Sequence, residues 1–303
     1  MACMDLTSQA LQTTAPHPTE TTNPDHLATT AAAPIKPQAT APVLAQAISL
    51  SKVYGQGDTA VHALRSVNLS FAQGQFTAIM GPSGSGKSTL MHCLAGLDKP
   101  TSGTVHLDGQ VISQLPERAL TKLRRTQIGF IFQSFNLVAS LTAAENITLP
   151  LDLAHRKADP KWHKTVIQTL GLEDRLTHKP AELSGGQQQR VACARALVTK
   201  PAIIMADEPT GNLDSASSRE LMALLRRCVR ELGQTLVMVT HDSGAAAYAD
   251  RVVFLDDGRV AGQITQPTVD GIDAAMRAIR QGQPITAQPT GAQPGRVAEG
   301  VGV

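Results

Sequence analysis

The sequence lacks long apolar runs, a dominant charge and paired cysteines, and each absence excludes a class of protein. No window approaches the roughly 18 apolar residues that a membrane span needs. The net charge is only +2, with lysines and arginines scattered along the 303 residues, so nothing predicts nucleic-acid binding. The four cysteines (Cys3, Cys93, Cys193 and Cys228) have no metal-ligand or redox spacing, and we expect buried free thiols in a reducing compartment.

The N-terminus also lacks the basic and apolar regions of a signal peptide, because the first basic residue is Lys36. Residues 1–42 are rich in Thr, Ala and Pro and are expected to form a disordered tail. Residues 266–303 are predicted to be a second, mostly disordered tail. Between the tails we expect one folded domain, at about 45–265.

Several short apolar runs inside the domain predict strands, and 3.6-residue periodicity between them predicts helices. The runs Gln75–Met80, Ala202–Ala206 and Thr235–Val239 are nearly continuous in apolar residues, which is typical of a buried, mainly parallel sheet. The fold class is therefore α/β. Residues 134–190 lack strand-like apolar runs and end in a helical pattern. We therefore interpret them as a helical insertion.

A glycine-rich segment follows the first of these runs and precedes a helical pattern. It consists of Gly81, Pro82, Ser83, Gly84, Ser85, Gly86, Lys87, Ser88 and Thr89, and it fits the phosphate-binding P-loop pattern in the strand–loop–helix context that the mechanism requires. Backbone N–H groups freed by the glycines would approach nucleotide phosphates. Lys87 would reach the β- and γ-phosphates, and the Ser88 hydroxyl would bind Mg²⁺.

Two adjacent carboxylates follow the apolar run Ile203–Ala206. A strand that ends in carboxylates is the usual partner of a P-loop. Asp207 would hold Mg²⁺, and Glu208 would polarise an attacking water. A strand ending in Asp-Glu means little by itself, and the upstream P-loop gives this pair its significance.

A second predicted anion site starts at Ser184. This residue is a good N-cap, and Gly185 and Gly186 leave N–H groups open at a helix start, before Gln187. Two separate phosphate sites in one chain make sense if each chain's P-loop faces the second site of another chain, which predicts a head-to-tail dimer. An ordinary helix cap is the alternative.

These motifs, in this order, resemble the ATP-binding subunit of ABC transporters over about residues 45–264, and Leu183–Gln187 is similar to that family's signature sequence. The resemblance implies a RecA-like P-loop core, an antiparallel β subdomain and a helical signature subdomain. It also implies an ATPase that uses ATP and Mg²⁺ as cofactors.

The resemblance implies roles for four further residues. Tyr54 would stack on adenine, and Gln133 would sense Mg²⁺ and contact the membrane subunit. Asp214 would contact the nucleotide from a loop that crosses to the partner subunit, and His241 would contact the γ-phosphate. Three of them have a simpler alternative: Tyr54 as a core aromatic, Gln133 as a loop residue and His241 as a capping side chain.

The segments Ala206–Ser215 and Gly129–Leu137 are similar to those of the MacB/LolD-type branch, whose partners are FtsX-like permeases. The resemblance implies a homodimer or heterodimer of ATPase subunits, held by a permease at the cytoplasmic side of the membrane, in export or extraction of a hydrophobic or peptide substrate. A FtsE-like ATPase that signals through a permease is the alternative. A DNA-repair or translation ATPase is a further competitor, disfavoured because the chain has neither a coiled-coil insertion nor a second cassette.

Overall fold

The computed structural model describes residues 41–285. The predicted N-terminal tail lies outside the described residues except for Ala41 and Pro42, and the end of the C-terminal tail, from residue 286, also lies outside them. In chain order the strands are β1 (Val43–Tyr54), β2 (Val61–Ala72), β3 (Phe76–Met80), β4 (Ser102–Leu107), β5 (Gln110–Val111), β6 (Ile128–Phe132), β7 (Ile203–Asp207), β8 (Thr235–Val239), β9 (Arg251–Asp256) and β10 (Arg259–Thr265). The helices are α1 (Lys87–Leu94), α2 (Glu117–Gln127), α3 (Ala143–Leu153), α4 (Pro160–Leu170), α5 (Gly185–Leu197), α6 (Ser215–Leu232), α7 (Ser243–Ala246) and α8 (Val269–Arg280).

A six-stranded sheet forms the centre, in the order β10-β9-β3-β8-β7-β6. All neighbours from β9 to β6 run parallel, and only β10 is antiparallel. Every residue of β3 and of β8 is buried, because helices cover both faces of such a sheet. The predicted α/β fold with a mainly parallel sheet is confirmed.

A second sheet is antiparallel, with the order β2-β1-β4-β5. The apolar runs Ala47–Val53 and Thr104–Leu107 predict β1 and β4 in part, but no such run marks β2. That strand alternates polar and apolar residues and is only half buried, so it has no continuous apolar run. The β subdomain that the family resemblance implied is present.

In sequence, the helical insertion lies between strand β6, at one edge of the central sheet, and helix α5. Within residues 134–184, all of which the structure describes, no strand occurs, and α3 and α4 supply the helices. Helix α3 begins with a capping box, in which the Thr142 hydroxyl accepts from the Glu145 N–H and the Glu145 carboxylate accepts from the Thr142 N–H. Pattern analysis missed α3 because Pro150 and two polar residues interrupt its periodicity.

The predicted C-terminal boundary at 265 is wrong. Helix α8 extends the domain and buries Ile272, Ala275 and Ile279, and it packs against α7. The sequence after residue 265 resembles a polar tail because two glycines and two prolines lie in and beside the helix. The three buried apolar residues nevertheless recur at helical spacing. The helix starts where the Thr268 hydroxyl accepts from the Gly271 N–H.

Two apolar clusters lie on opposite faces of the central sheet. Alternate residues of β3 point to different faces, so Ala78 joins one cluster and Ile79 the other. The first cluster includes α3–α6 and α8, and the second includes α1 and the antiparallel sheet. Cys93, Cys193 and Cys228 are buried and free, as expected. No helix among residues 41–285 has both the length and the apolar character to cross a membrane.

Candidate functional site

The predicted site residues follow the ends of four neighbouring strands. In the parallel register Ile79 pairs with Val239, Val239 with Asp207, and Asp207 with Phe132. These strands therefore end at one edge of the sheet, as strands of the same direction must. Gly81, Glu208, His241 and Gln133 each come within two residues after a strand at this edge. Residues more than 100 positions apart in sequence become neighbours in this way.

The glycine-rich loop connects β3 to α1, so the predicted strand–loop–helix is confirmed. Gly86 caps the helix in the left-handed conformation, with φ of 98°. A Cβ on Gly86 would lie 2.3 Å from the Ala63 carbonyl oxygen, and one on Gly81 would lie 2.1 Å from that of Leu255. Only glycine fits where backbone approaches backbone this closely, so both glycines are required by the packing of the loop itself.

The Lys87 side chain folds back over the loop. Its Nζ donates to the carbonyl oxygens of Gly81 at 3.0 Å and Pro82 at 2.7 Å. Burial lowers the pKa of Lys87, while the nearby carboxylates of Glu208 and Asp207 act to raise it. A half-buried cation thus lies between the glycine-rich loop and the two acidic residues, where a phosphate group would find a counter-charge.

The two adjacent carboxylates diverge. Asp207 is the last residue of β7, and burial raises its pKa, although His92 and Lys87 act in the opposite direction. Glu208 has a left-handed backbone, with φ of 47°, and its N–H donates to the Val239 carbonyl at 2.9 Å. The turn at Glu208 takes its side chain to His241, whose Nδ1 lies 2.9 Å from one carboxylate oxygen and 2.7 Å from the other.

Gln133 interlocks with the loop that follows Glu208. Its Nε2 donates to Asn212 Oδ1 at 3.3 Å, and Asn212 Nδ2 donates to the Gln133 carbonyl at 3.1 Å. Together with Glu208 and His241, Gln133 lines a cavity of about 550 Å³. Immediately downstream, Phe135 and Asn136 are both left-handed, and the Arg195 guanidinium of α5 donates to their carbonyl oxygens at 2.7 and 2.5 Å. Sequence analysis missed both Asn212 and Arg195.

The start of α5 forms a separate group. Ser184 caps the helix as predicted: its hydroxyl accepts from the Gln187 N–H, and Gln187 Oε1 accepts from the Ser184 N–H. A Cβ on Gly185 would meet only ordinary contacts, the nearest at 3.6 Å. Within residues 41–285 no hydrogen bond joins residues 184–187 to residues 81–89. One chain therefore brings together the residues of the sheet edge but not the two predicted anion sites.

Asp214 lies near this second group and has a definite local role. Its carboxylate accepts from the N–H groups of Ala216 and Ser217 and from the Ser217 hydroxyl, at 2.9, 3.0 and 2.6 Å. These bonds cap α6 and lower the pKa of Asp214. The predicted contact of this residue with nucleotide stays a prediction, and the capping role adds to it.

Tyr54 lies next to a residue that lines a cavity beside the glycine-rich loop. The cavity measures about 470 Å³, and Val61, Lys87, Ser88 and Thr89 contribute to its lining. Tyr54 ends β1 directly opposite Val61, and it is 42% exposed, so it is not a core aromatic. Its hydroxyl contacts Asp98, a residue that sequence analysis did not single out.

A groove of about 440 Å³ lies beside β6, where residues of the central sheet and of the helical insertion meet. Its lining combines apolar residues such as Leu97, Phe130 and Pro150 with the guanidinium groups of Arg124, Arg125 and Arg195. Leu97 is 48% exposed. No sequence motif marks this groove, because its residues come from four separate elements.

Comparison with known proteins matches this arrangement to one family. A model described as ABC transporter matches residues 64–211. The ABC transporter ATP-binding protein MJ0796 of Methanocaldococcus jannaschii is 48% identical over 218 residues, which span 70% of this chain and 93% of that protein. The lipoprotein-releasing system ATP-binding protein LolD of Geobacter metallireducens is 48% identical over 221 residues, with 72% and 97% covered.

The macrolide export ATP-binding/permease protein MacB of Vibrio parahaemolyticus is 47% identical over 220 residues, which span 72% of this chain but only 33% of that longer protein. Among solved structures, the dimeric, post-hydrolysis state of the ATP-binding cassette MJ0796 bound to ADP and Pi has a TM-score of 0.66 and 43% identity. It covers 74% of this chain and 100% of that one.

Proposed function

The chain belongs to the ABC transporter family as an ATP-binding cassette, an ATPase of the MacB/LolD-type branch, and from that premise we propose that it dimerises around two MgATP molecules to drive an FtsX-like membrane permease. The substrate would be a hydrophobic molecule or a peptide that is exported or extracted from the membrane. The names of the LolD and MacB relatives support that direction.

The phosphate end of the site suits a magnesium nucleotide. Glycine N–H groups and the half-buried Lys87 ammonium supply positive potential at the start of α1. The Ser88 hydroxyl, the Asp207 carboxylate and the Gln133 amide oxygen are hard oxygen donors, the kind that Mg²⁺ prefers. When bound, Mg²⁺ would neutralise negative charge on the phosphates.

Glu208 carries the proposal, because it is the carboxylate that an ATPase needs beside its Mg²⁺ ligand. The left-handed turn separates it from Asp207, so one residue can hold the metal while the other accepts a proton from water. His241, at 2.7–2.9 Å, fixes the orientation of the carboxylate. His241 and Gln133 would also contact the γ-phosphate and the attacking water.

The signature helix supports dimerisation. Ser184, Gly185 and Gly186 offer donors at the start of α5 and make no hydrogen bond to the glycine-rich loop of the same chain within the described residues. A γ-phosphate held by a partner chain would accept hydrogen bonds from those donors and so bridge the two chains. Hydrolysis would remove this bridge. The dimeric MJ0796 structure with ADP and Pi is consistent with such an arrangement.

The groove beside β6 suits the permease. It combines the exposed Leu97 and the partly buried Phe130 with three guanidinium groups, which favours a short amphipathic helix that carries acidic residues. Arg195 touches both this groove and the segment after Gln133. A docked permease helix would therefore act on Gln133 through one residue.

The test is Glu208→Gln in the full chain. We expect MgATP binding to persist, ATP hydrolysis to fall by about 10²–10³-fold, and a closed dimer to accumulate during gel filtration with MgATP. Affinity purification of this variant from solubilised membranes should recover a permease of the FtsX type. Hydrolysis near the wild-type rate would remove Glu208 as the base, and recovery of soluble partners alone would overturn the transport role.

A further inference from the structure

The Tyr54 ring is held by two charged residues that no motif includes. Its hydroxyl donates to Asp98 Oδ2 at 2.5 Å. Lys52 Nζ donates to the other oxygen of the same carboxylate at 2.5 Å and to the Lys99 carbonyl at 2.8 Å. The same Nζ lies 4.7 Å from the centroid of the Tyr54 ring. The three side chains thus form a closed triangle of contacts.

This triangle leaves one side of the ring free. Lys52 and Tyr54 are two residues apart on β1 and lie on the same face of the strand. The Lys52 side chain is only 13% exposed, whereas Tyr54 is 42% exposed. The ammonium therefore covers one side of the ring by a cation–π contact, and the exposed part of Tyr54 faces solvent next to Val61, which lines the cavity beside the glycine-rich loop.

An unanchored tyrosine at a strand end would sample several rotamers, and stacking would then have to order it at an entropic cost. The carboxylate of Asp98 opposes that freedom. Burial would raise the pKa of Asp98, but the hydrogen bonds from Lys52 and Tyr54 outweigh burial and hold the pKa below its usual value. Asp98 therefore remains an ionised acceptor at neutral pH, and its charge is balanced by Lys52.

We propose that Asp98, supported by Lys52, is a positioning residue for the base of the nucleotide: it fixes the Tyr54 ring so that its free face is ready to stack on the planar base. This inference rests on the proposed function, in which Tyr54 contacts adenine. It assigns to Asp98 an effect on the base alone, because its charge is already neutralised and the phosphates bind at the other wall of the cavity, around Lys87.

The experiment compares a ligand with a base and one without. Binding of ATP and of inorganic tripolyphosphate, both with Mg²⁺, is measured for the full-length wild type and for Asp98→Ala, Asp98→Asn, Tyr54→Phe and Tyr54→Ala. Base–aromatic stacking contributes roughly 1–3 kcal/mol, so Tyr54→Ala should weaken ATP binding by about tenfold or more. Asp98→Ala should weaken it by about threefold to tenfold, raise the KM for ATP and leave kcat unchanged. Tripolyphosphate affinity should change in neither variant.

A double variant separates positioning from general support of the fold. If Asp98 acts through the Tyr54 hydroxyl, Asp98→Ala should have no further effect in a Tyr54→Phe background. Glu117→Gln is the matched control, because Glu117 also accepts from a basic side chain at 2.5 Å but lies away from Tyr54; it should leave ATP affinity unchanged. If Asp98→Ala does not fold, Asp98→Asn and Tyr54→Phe carry the test.

The possible outcomes distinguish failure of the inference about Asp98 from failure of the proposed contact between Tyr54 and adenine. Loss of ATP affinity in Tyr54→Ala with none in Asp98→Ala or Asp98→Asn overturns the inference and leaves the proposed function standing. Equal loss of ATP and tripolyphosphate affinity in Asp98→Ala also overturns it, since Asp98 would then support the lobe as a whole. Unchanged ATP affinity in Tyr54→Ala removes the proposed adenine contact, and the inference with it.

Discussion

The edge of the central sheet and the start of α5 differ in how their polar groups are satisfied. At the sheet edge the side chains engage residues from other elements: Glu208 contacts His241, Gln133 contacts Asn212, and Lys87 contacts loop carbonyls. At the start of α5, the Ser184 hydroxyl and Gln187 Oε1 accept only from each other's backbone N–H groups among residues 41–285. The first region is assembled within one chain, and the second is a helix cap with open amides.

Under the proposed function, this difference would explain why one chain holds two predicted anion sites. The sheet edge has a cation, an acidic pair and a cavity, which suit a phosphate, whereas the start of α5 has donors but no acidic group. A complete reaction centre would then require the edge of one chain and the helix start of another. Four predictions test this division, beginning with the largest expected effect.

Lys87→Ala should have the largest effect because it removes the only cation that contacts the glycine-rich loop among the described residues. We expect ATP hydrolysis to fall by about 10³-fold, with weakened MgATP binding. Equilibrium binding and steady-state hydrolysis measure both effects. The exposed Lys164 on α4 provides the control, as Lys164→Ala should change neither. Unchanged ATP affinity in Lys87→Ala would contradict the assignment of the loop.

Gly185→Asp should impair hydrolysis by about 10²-fold without weakening MgATP binding to the monomer. The new side chain has room, since the nearest atom lies 3.6 Å from a Cβ at this position. Its carboxylate, however, would repel a phosphate held by the partner. Gly185→Ala, with no charge, should retain most of the activity.

Mixing this variant with Lys87→Ala sharpens the prediction. Random pairing gives half heterodimers, each with one intact composite site, so roughly a quarter of all sites should regain activity. Two inactive parents whose mixture stays inactive would indicate that both sites must be intact for hydrolysis or that the chains do not pair head to tail. Gel filtration of the mixture with MgATP shows whether dimers form, and a cross-link between cysteines introduced in the glycine-rich loop of one chain and at the start of α5 of the other tests the head-to-tail pairing.

A matched pair of glycine substitutions compares the backbone of the two regions. Gly86→Ala should lower the free energy of unfolding by about 2 kcal/mol, because φ is 98° and its Cβ would lie 2.3 Å from the Ala63 carbonyl oxygen. Gly185→Ala should change stability by about 0.5 kcal/mol or less, since it sits at an ordinary helical position. Urea denaturation measures both, and equal destabilisation would refute the contrast.

A smaller effect than that of Gly86→Ala is expected for Gln187→Ala, which removes one half of the capping box of α5. The loss should be about 0.5–1 kcal/mol of unfolding free energy, with ATP binding to the monomer unchanged. Gln168→Ala on the exposed face of α4 is the control and should be neutral. A large loss of monomer binding in Gln187→Ala would link this helix start to the chain's own glycine-rich loop.

Local sequence patterns were sufficient to predict the central strands, the glycine-rich loop and the cap at Ser184. Each depends on residues that are adjacent in the chain. The Tyr54–Asp98 contact spans 44 positions, and the groove lined by Arg124 and Arg195 joins separate elements. Such contacts depend on how elements pack, and no spacing rule encodes them. Strand β2 was missed because its apolar residues alternate with polar ones, and helix α8 was missed because glycines and prolines lie in and beside its helical pattern.

The left-handed backbone of Glu208 has a consequence for engineering. A non-glycine residue in that conformation costs about 1–2 kcal/mol, so the position is one at which a search for greater stability would readily replace glutamate. Any such replacement would discard the carboxylate that His241 orients. A design protocol that optimises this cassette for thermal tolerance should therefore keep residue 208 fixed and seek its gains in the peripheral helices, where sequence choice and catalytic output are uncoupled.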